Sequence, residues 1–183
     1  SASGVAELDD PVRGLRERIA AASRVCVLSG AGMSAESGIA TFRDALTGLW
    51  SRFDPAQLAS EEGFRADPQL VWDWYAQRRE GVRAAQPNAG HQALGEFARR
   101  RPGVLTVVSQ NVDDLHQRAG NADTIRLHGD ILADRWLEPC RRGRACEPAS
   151  AGAGRPPRSA GCGHQVRPGG GGLGEVQAPG ARG

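Results

Sequence analysis

The chain has 183 residues, and its 23 Lys and Arg against 21 Asp and Glu leave a formal net charge of +2 at pH 7. This length fits one domain or one domain with a small insert, and the near-balanced charge argues against a partner that is a nucleic acid. Because no apolar run approaches the length of a membrane span and no signal segment opens the chain, we expect a cytoplasmic protein without a membrane partner.

The first predicted elements are a helix and a strand. Asp10 and Pro11 are typical of a helix start, and the helix should run to about Ala22. Its apolar residues recur at helical spacing and should pack on a sheet; they are Val12, Leu15 and Ile19. Residues 24–29 then form a short apolar run that predicts a buried strand.

The strand is followed by a small-residue turn of the form G-x-G-x-x-A at residues 30–35. Glycine lets backbone N–H groups approach a ligand, and the N-terminus of the next helix, expected from about Ser34, attracts a pyrophosphate. The motif alone is weak, because a tight turn without a ligand looks the same. A nicotinamide dehydrogenase would carry an acidic residue at the end of a second strand about 20 residues on. Thr41, Phe42 and Arg43 stand in a loop instead, which disfavours hydride transfer.

A longer helix is predicted from Asp67-Pro68 to about Arg83. Tyr75 and Arg78 are three residues apart and therefore share one helical face. A guanidinium can pair with a terminal carboxylate while a tyrosine hydroxyl adds a hydrogen bond. The alternative is that Tyr75 packs in the core and Arg78 extends into water.

Another helix is predicted after Pro87-Asn88. It contains His91, for which a structural hydrogen-bonding role is favoured over catalysis. Residues 104–109 form a second buried strand that ends in Gln110 and Asn111, and residues 124–127 form a short strand that delivers His128. Ligand-binding residues at the carboxyl ends of strands are typical of a doubly wound parallel sheet.

Three segments together resemble the sirtuins, the NAD-dependent protein lysine deacylases. They are G-A-G-M-S-A-E-S-G-I at 30–39 with T-F-R at 41–43, S-Q-N-V-D-D-L-H at 109–116, and L-H-G-D at 127–130. Three motifs in family order and at family spacing are far more specific than any one of them. The resemblance covers about residues 15–135 and implies an α/β fold, a Rossmann-like doubly wound parallel sheet with a small inserted module.

The resemblance also implies a reaction. The carbonyl oxygen of an acylated lysine attacks C1′ of the NAD ribose and expels nicotinamide, and His128 acts as the general base on a ribose hydroxyl. Asn111, the second residue assigned to catalysis, orients the ribose and the nicotinamide amide together with Asp113. The residues expected to bind NAD are Gly30, Ala31, Gly32, Ser34, Ala35, Glu36, Thr41, Phe42, Arg43, Trp50, Gln110, Asn111 and Asp113.

The substrates implied are acylated-lysine proteins or peptides. The segment around Tyr75 and Arg78 resembles the sirtuin class whose Y-x-x-R pair reads acidic acyl groups, so succinyl and malonyl groups are expected besides acetyl. No oligomeric state follows from these residues.

The small module of the family carries zinc on two C-x-x-C pairs. This chain has three unevenly spaced cysteines in that region, which are Cys140, Cys146 and Cys162. Because tetrahedral zinc needs four ligands, a zinc site on these cysteines and a degenerate, metal-free module both remain open. The expected organisation is an NAD-binding unit at 1–135, the module-like segment at 136–168 and a disordered Gly-rich tail at 169–183.

The C-terminal strands of the family have no counterpart after this segment, and only residues 173–175 are similar to the family's aromatic strand. The Gly, Ala, Arg and Pro bias is typical of an off-frame reading of GC-rich DNA. We therefore expect a truncated or frameshifted sirtuin. The alternative to a deacylase is an inactive remnant that retains at most binding of NAD or ADP-ribose.

Overall fold

The computed structural model describes residues 11–39, 51–136 and 166–169 of the chain. The helices are α1 (Pro11–Ala21), α2 (Ala31–Ala35), α3 (Pro55–Ala59), α4 (Glu61–Ala66), α5 (Pro68–Ala84), α6 (Ala89–Arg100) and α7 (Leu115–Arg118). The strands are β1 (Val25–Ser29), β2 (Leu105–Ser109), β3 (Ile125–Arg126), β4 (Ala133–Trp136) and β5 (Val166–Gly169). None of the helices in these ranges is long and apolar enough to cross a membrane.

The first three strands form a parallel sheet in the order β1-β2-β3. β1 pairs with β2 along its whole length, from Val25 opposite Leu105 to Ser29 opposite Ser109, and β3 joins through Ile125 opposite Val108. This confirms the predicted α/β fold with a Rossmann-like parallel sheet. β4 and β5 form a separate antiparallel pair, in which Trp136 lies opposite Val166.

Helix α5 supplies most of the hydrophobic core. It begins where predicted, because the Asp67 carboxylate accepts a hydrogen bond from the Leu70 N–H (3.0 Å) and Pro68 occupies the first turn. One face of the helix is buried against α3, α4 and the segment after His128. The buried cluster consists of Leu58, Phe64, Val71, Trp72, Trp74, Tyr75, Val82 and Ile131.

Helix α6 also begins where predicted, at a capping box around Asn88. The Asn88 side chain accepts from the backbone N–H groups of Gly90 and His91, and His91 Nδ1 accepts from the Asn88 N–H (3.3 Å). The Asn88 amide also donates to the Met33 carbonyl (2.8 Å), which ties α6 to α2. His91 is fully buried, so the structural role favoured for it is confirmed.

The start predicted for α2 is wrong. The helix begins at Ala31 instead of near Ser34, because Gly30 is its extended N-cap residue (φ −135°, ψ −166°) and the chain turns directly after β1. The G-x-G-x-x-A motif therefore begins at the N-cap residue Gly30, and its other five residues form the helix.

The packing predicted for α1 is also wrong, since Val12 and Leu15 are 51% and 57% exposed. The helix is held instead by its last turn. Arg101, which follows α6, donates to the carbonyl groups of Ile19, Ala20 and Ala22.

β1 is buried on one face only. Cys26 is exposed and Leu28 is 64% exposed, whereas the apolar run predicted a buried strand. The two residues project to the same side because side chains alternate along a strand. No described helix packs tightly enough on this side of β1 to bury them.

We expect Gly95→Ala to destabilise the protein. Gly95 lies in the interior of α6, and a Cβ atom there would lie 1.9 Å from the Ala119 carbonyl oxygen. Because α6 and α7 must move apart to accept the methyl group, the free energy of unfolding should fall by about 1–3 kcal/mol. Urea denaturation measures this change.

Gly81→Ala is the matched control. Gly81 lies in α5, where nothing lies within 4 Å of an added Cβ. The better helix propensity of alanine should raise the free energy of unfolding by up to about 1 kcal/mol. Equal effects of the two substitutions would contradict the close contact between α6 and α7.

Candidate active site

The carboxyl ends of the three parallel strands bring the sequence motifs together. Gly30 follows β1, Gln110 and Asn111 follow β2, and His128 lies two residues beyond β3. The strand pairing continues past the strand ends, because the Gln110 N–H donates to the Ser29 carbonyl (3.0 Å) and the Leu127 N–H donates to that of Ser109 (2.9 Å). The predicted site therefore occupies one edge of the sheet, where ligands bind in doubly wound folds.

Asn111 is held in one orientation by two serines. Its N–H donates to Ser109 Oγ (3.1 Å), and its side-chain nitrogen donates to Ser34 Oγ (3.0 Å). Ser34 in turn donates to Asp113 Oδ2 (2.9 Å), so its single hydroxyl proton is used and it accepts from Asn111. The amide nitrogen of Asn111 therefore faces Ser34, and the amide oxygen is directed away from Ser34.

Ser34 and Asp113 form the buried base of this part of the site. They are 1% and 7% exposed, and Asp113 Oδ1 accepts a further hydrogen bond from the Leu115 N–H (3.0 Å). The carboxylate is thus bound on both oxygens. This interaction connects α2 to the loop between β2 and α7 and fixes the position of Asn111 between them.

His128 has a defined tautomer. Its Nδ1 lies 2.9 Å from the Gln110 carbonyl oxygen. A carbonyl oxygen only accepts hydrogen bonds, so Nδ1 carries the proton and Nε2 carries the lone pair. His128 is exposed, and its Nε2 is the ring nitrogen that can take up a proton from a substrate.

The glycine turn is open at the end of β1. Cβ atoms built on Gly30 and Gly32 meet nothing within 4 Å. Among the six residues predicted to bind NAD between positions 30 and 36, the structure buries Ser34 and leaves Ala31, Gly32, Ala35 and Glu36 exposed. A ligand can therefore approach the backbone of the turn closely.

Several predicted residues lie outside the described part of the chain. They are Thr41, Phe42, Arg43 and Trp50 of the NAD site and the three cysteines Cys140, Cys146 and Cys162. Within residues 11–39, 51–136 and 166–169, no group of three or more His, Cys, Asp or Glu is arranged to hold a metal ion.

Tyr75 and Arg78 lie together on α5 as predicted. Tyr75 is 4% exposed and packs edge-on against Trp74, with ring centroids 4.9 Å apart. The Arg78 guanidinium lies 4.7 Å from the Trp74 centroid and 5.9 Å from that of Tyr75. Burial lowers the pKa of Arg78, and the neighbouring Tyr75 opposes this change. Tyr75 therefore packs in the core, while Arg78 stays against two aromatic rings.

The sequence analysis assigned no role to three buried polar residues behind the site, although Ser109 and His116 begin and end the motif at 109–116. Ser29 Oγ donates to Ser109 Oγ (3.0 Å) and lies 2.9 Å from His116 Nε2. Each of the three residues is less than 9% exposed. The sequence did contain a pattern that could have indicated these residues, because the apolar runs of β1 and β2 each end in a serine.

Arg79 is a second residue that the motifs did not reveal. It is 5% exposed, donates to the Ile131 carbonyl (2.7 Å) and forms an ion pair with Asp134 (2.5 Å). Its guanidinium also lies 5.3 Å from the Trp72 centroid. Arg79 therefore joins α5 to the segment that follows His128. Arg79 lies two helical turns after the buried Trp72, and this spacing could have indicated that Arg79 is on the buried face of α5.

A family model described as the Sir2 family matches residues 30–175 of the chain. The protein named NAD-dependent protein deacylase of Ralstonia nicotianae is 54% identical over 125 residues, which is 68% of this chain and 50% of the relative. That of Methylococcus capsulatus is 58% identical over 110 residues, 60% of this chain and 43% of the relative. The chain thus spans about half the length of the curated relatives it matches.

Solved structures agree with this similarity. A Sir2 homologue in complex with NAD is 41% identical with a TM-score of 0.73, over 89% of this chain and 62% of that chain. A mutant Sir2 homologue in complex with ADP-ribose is also 41% identical with a TM-score of 0.73, over 91% of this chain and 65% of that chain.

We expect Arg79→Met to be strongly destabilising. The substitution keeps an apolar stem in the core but leaves the Asp134 carboxylate and the Ile131 carbonyl without their partner. Removing one partner of a buried ion pair costs about 3–5 kcal/mol, so the midpoint of urea denaturation should fall markedly.

Arg65→Met is the matched control. Arg65 forms an ion pair with Glu61 (2.9 Å), in which both side chains are nearly half exposed. Exposed pairs contribute about 0–1 kcal/mol, so this variant should unfold near the midpoint of the wild type. A similar loss in both variants would contradict the role of Arg79 in joining α5 to the segment after His128.

Proposed function

The chain belongs to the Sir2 family, and we propose that it acts as an NAD-dependent protein lysine deacylase. In this reaction an acyl group passes from a lysine side chain to the ADP-ribosyl part of NAD, and nicotinamide is released. The chain spans about half the length of the relatives named for this activity. The activity, the substrates and the partners are therefore all part of the proposal.

NAD would bind along the carboxyl edge of the parallel sheet. The open glycine turn at Gly30 and Gly32 fits a phosphate-bearing ligand, because nothing stands above the backbone there. Asn111, whose amide nitrogen is bound by Ser34, presents its amide oxygen to a ribose hydroxyl or to the nicotinamide amide. NAD supplies the ribosyl carbon that accepts the acyl oxygen.

The observation that carries the proposal is the hydrogen bond between His128 Nδ1 and the Gln110 carbonyl (2.9 Å). It leaves the Nε2 lone pair of His128 available, and it attaches His128 to the residue that precedes Asn111. The proposed proton acceptor and the proposed ribose-orienting amide thus follow the ends of adjacent strands. His128 Nε2 would take the proton of the ribose hydroxyl, which would allow this hydroxyl to attack the bound acyl carbon.

The proposed substrates are proteins or peptides with acylated lysines, including acidic acyl groups. The support is the position of Arg78, a guanidinium held against Trp74 and Tyr75. A guanidinium carries a planar pair of donors that matches the carboxylate of a succinyl or malonyl group.

The first test is release of nicotinamide from NAD in the presence of a succinyl-lysine peptide. The wild type should release nicotinamide only when the peptide is present, and His128→Ala should lower the rate about 10²–10⁴-fold, the usual contribution of a general base. Arg65→Met, on an exposed surface of α4, is the control and should release nicotinamide at the wild-type rate.

Equal release by the wild type and His128→Ala would refute the assignment of the base. If folded wild-type protein releases no nicotinamide, calorimetric titration with ADP-ribose decides between a binding remnant and a protein without the site. Binding would favour the remnant, and no binding would refute the NAD site.

The second test concerns acyl selectivity. We expect Arg78→Met to lower kcat/KM for a succinyl-lysine peptide about 10- to 100-fold, the value of one hydrogen-bonded charge, and to leave an acetyl-lysine peptide within about threefold. Arg78→Lys keeps the charge but not the planar pair of donors, so its loss for succinyl-lysine should be intermediate. An equal loss for both peptides in Arg78→Met would indicate that Arg78 only supports the fold.

A further inference from the structure

Two buried imidazoles lie against each other behind the proposed site. His91 of α6 and His116 of α7 are 0% and 2% exposed, and their ring centroids lie 4.8 Å apart. Each ring has one buried nitrogen without a hydrogen-bond partner among the described residues, Nε2 of His91 and Nδ1 of His116. A buried polar atom without a partner is costly, so this pair of atoms requires an explanation.

The tautomer of His91 follows from its other nitrogen. The backbone N–H of Asn88 donates to His91 Nδ1 (3.3 Å), so Nδ1 carries no proton. A neutral imidazole then carries its proton on Nε2. The unpaired atom of His91 is therefore a donor.

The tautomer of His116 follows in the same way. The Ser29 hydroxyl donates its proton to Ser109 Oγ (3.0 Å), so it accepts from the ring nitrogen that lies 2.9 Å away, His116 Nε2. With its proton on Nε2, a neutral His116 has a lone pair on Nδ1. The unpaired atom of His116 is therefore an acceptor and is complementary to that of His91.

We infer that His91, His116, Ser29 and Ser109 form one hydrogen-bond relay that ends on the backbone N–H of Asn111, and that His116 is a positioning residue for Asn111. The donors run in one direction from His116 to Ser29 and from Ser29 to Ser109, and the proposed link from His91 Nε2–H to His116 Nδ1 continues in the same direction. Ser109 Oγ also accepts the Asn111 N–H (3.1 Å). The two atoms are not hydrogen-bonded to each other in this structure, but they are complementary and belong to rings whose centroids lie 4.8 Å apart. The proposed link therefore joins a buried donor and a buried acceptor that have no other partner among the described residues.

The relay requires both rings to be neutral. A proton on His116 Nδ1 would place two N–H groups against each other, and a proton on His91 Nδ1 would displace the Asn88 N–H. Burial is the largest effect on both imidazoles, and it disfavours their protonation. His91 further disfavours protonation of His116, and Arg118 of α7, paired with Asp114, disfavours that of His91, whereas Asp113 in the loop after β2 favours protonation of both rings. The net result is a lowered pKa for both imidazoles.

The pH dependence follows from these directions. At neutral pH both rings are uncharged and the relay is complete. As the pH falls below about 6.5, the value for histidine in an unfolded chain, the unfolded state binds protons that the native state resists. The free energy of unfolding should therefore be at its full value above this pH and should decrease below it.

The relay itself is tested by long-range ¹⁵N–¹H correlation spectra of the imidazoles. The chain has four histidines, and single substitutions assign their signals. Near neutral pH, His91 and His116 should both show a protonated Nε2 and an unprotonated Nδ1. His91→Phe should shift the Nδ1 signal of His116, because that atom loses its donor. A proton on Nδ1 of either ring, or an unchanged His116 signal in His91→Phe, would overturn the relay.

The positioning role rests on the proposed NAD site and is tested by the affinity for NAD. His116→Gln keeps an N–H donor where His116 Nε2 lies, whereas His116→Phe fills the same space without one. Near neutral pH, the dissociation constant should rise about tenfold in His116→Phe, the value of one hydrogen bond, and stay within about threefold of the wild type in His116→Gln.

The pH profile distinguishes positioning from mere support of the fold. From about pH 7.5 to about pH 5.5 the wild type should lose affinity for NAD, and His116→Gln should lose clearly less, because glutamine does not titrate. Val71→Ala, a cavity variant in the core of α5, serves as the stability control and should keep the wild-type profile.

Equal affinities in His116→Gln and His116→Phe, or a wild-type profile in His116→Gln, would overturn the positioning role. Absence of NAD binding by the wild type would overturn the proposed function and the positioning role with it, while the imidazole spectra still decide whether the relay exists.

Discussion

The parallel pairing of β1, β2 and β3 is the constraint on which the rest of the structure depends. It places the ends of three strands side by side, so that residues far apart in the chain meet at one edge. The hydrogen bonds from Gln110 to Ser29 and from Leu127 to Ser109 extend this alignment into the loops. Gly30, Asn111 and His128 therefore need no contact with one another to be held in a fixed relation, because the backbone of the sheet holds each of them.

The loops beyond the strands are then fixed by buried polar groups. Ser34, Asp113 and the serines at the ends of β1 and β2 satisfy one another, so that the loss of hydration on burial is offset by hydrogen bonds. A site built this way is rigid where it orients a substrate. These polar groups also depend on one another, because removing one of them leaves a buried partner without its hydrogen bond.

Local chemistry made much of this fold predictable. Asp67 and Asn88 are capping residues whose effect is limited to one helical turn, so the starts of α5 and α6 could be read from neighbouring residues. The glycine turn and the Q-N and H-G segments could also be recognised from neighbouring residues, because each follows directly after a short predicted strand, and they identified the edge of the sheet. In contrast, Val12 and Leu15 have the spacing of a buried stripe, and only tertiary contacts decide that α1 is held through Arg101. Arg79 and His116 likewise look like surface residues until their distant partners are known, and the roles assigned to His128, Asn111, Tyr75 and Arg78 remain proposals.

The Ser29–Ser109 contact has a consequence for the way the chain folds. The two residues are 80 positions apart in the chain, and the neighbouring pairs of β1 and β2 span the same distance. Contacts between such distant residues carry a high entropic cost of loop closure and slow down folding. The helices between β1 and β2 shorten that loop when they collapse around α5, which lowers the entropic cost of pairing the two strands. We therefore expect the polar edge of the sheet to assemble after the hydrophobic core, so that a newly made chain acquires its core before its site.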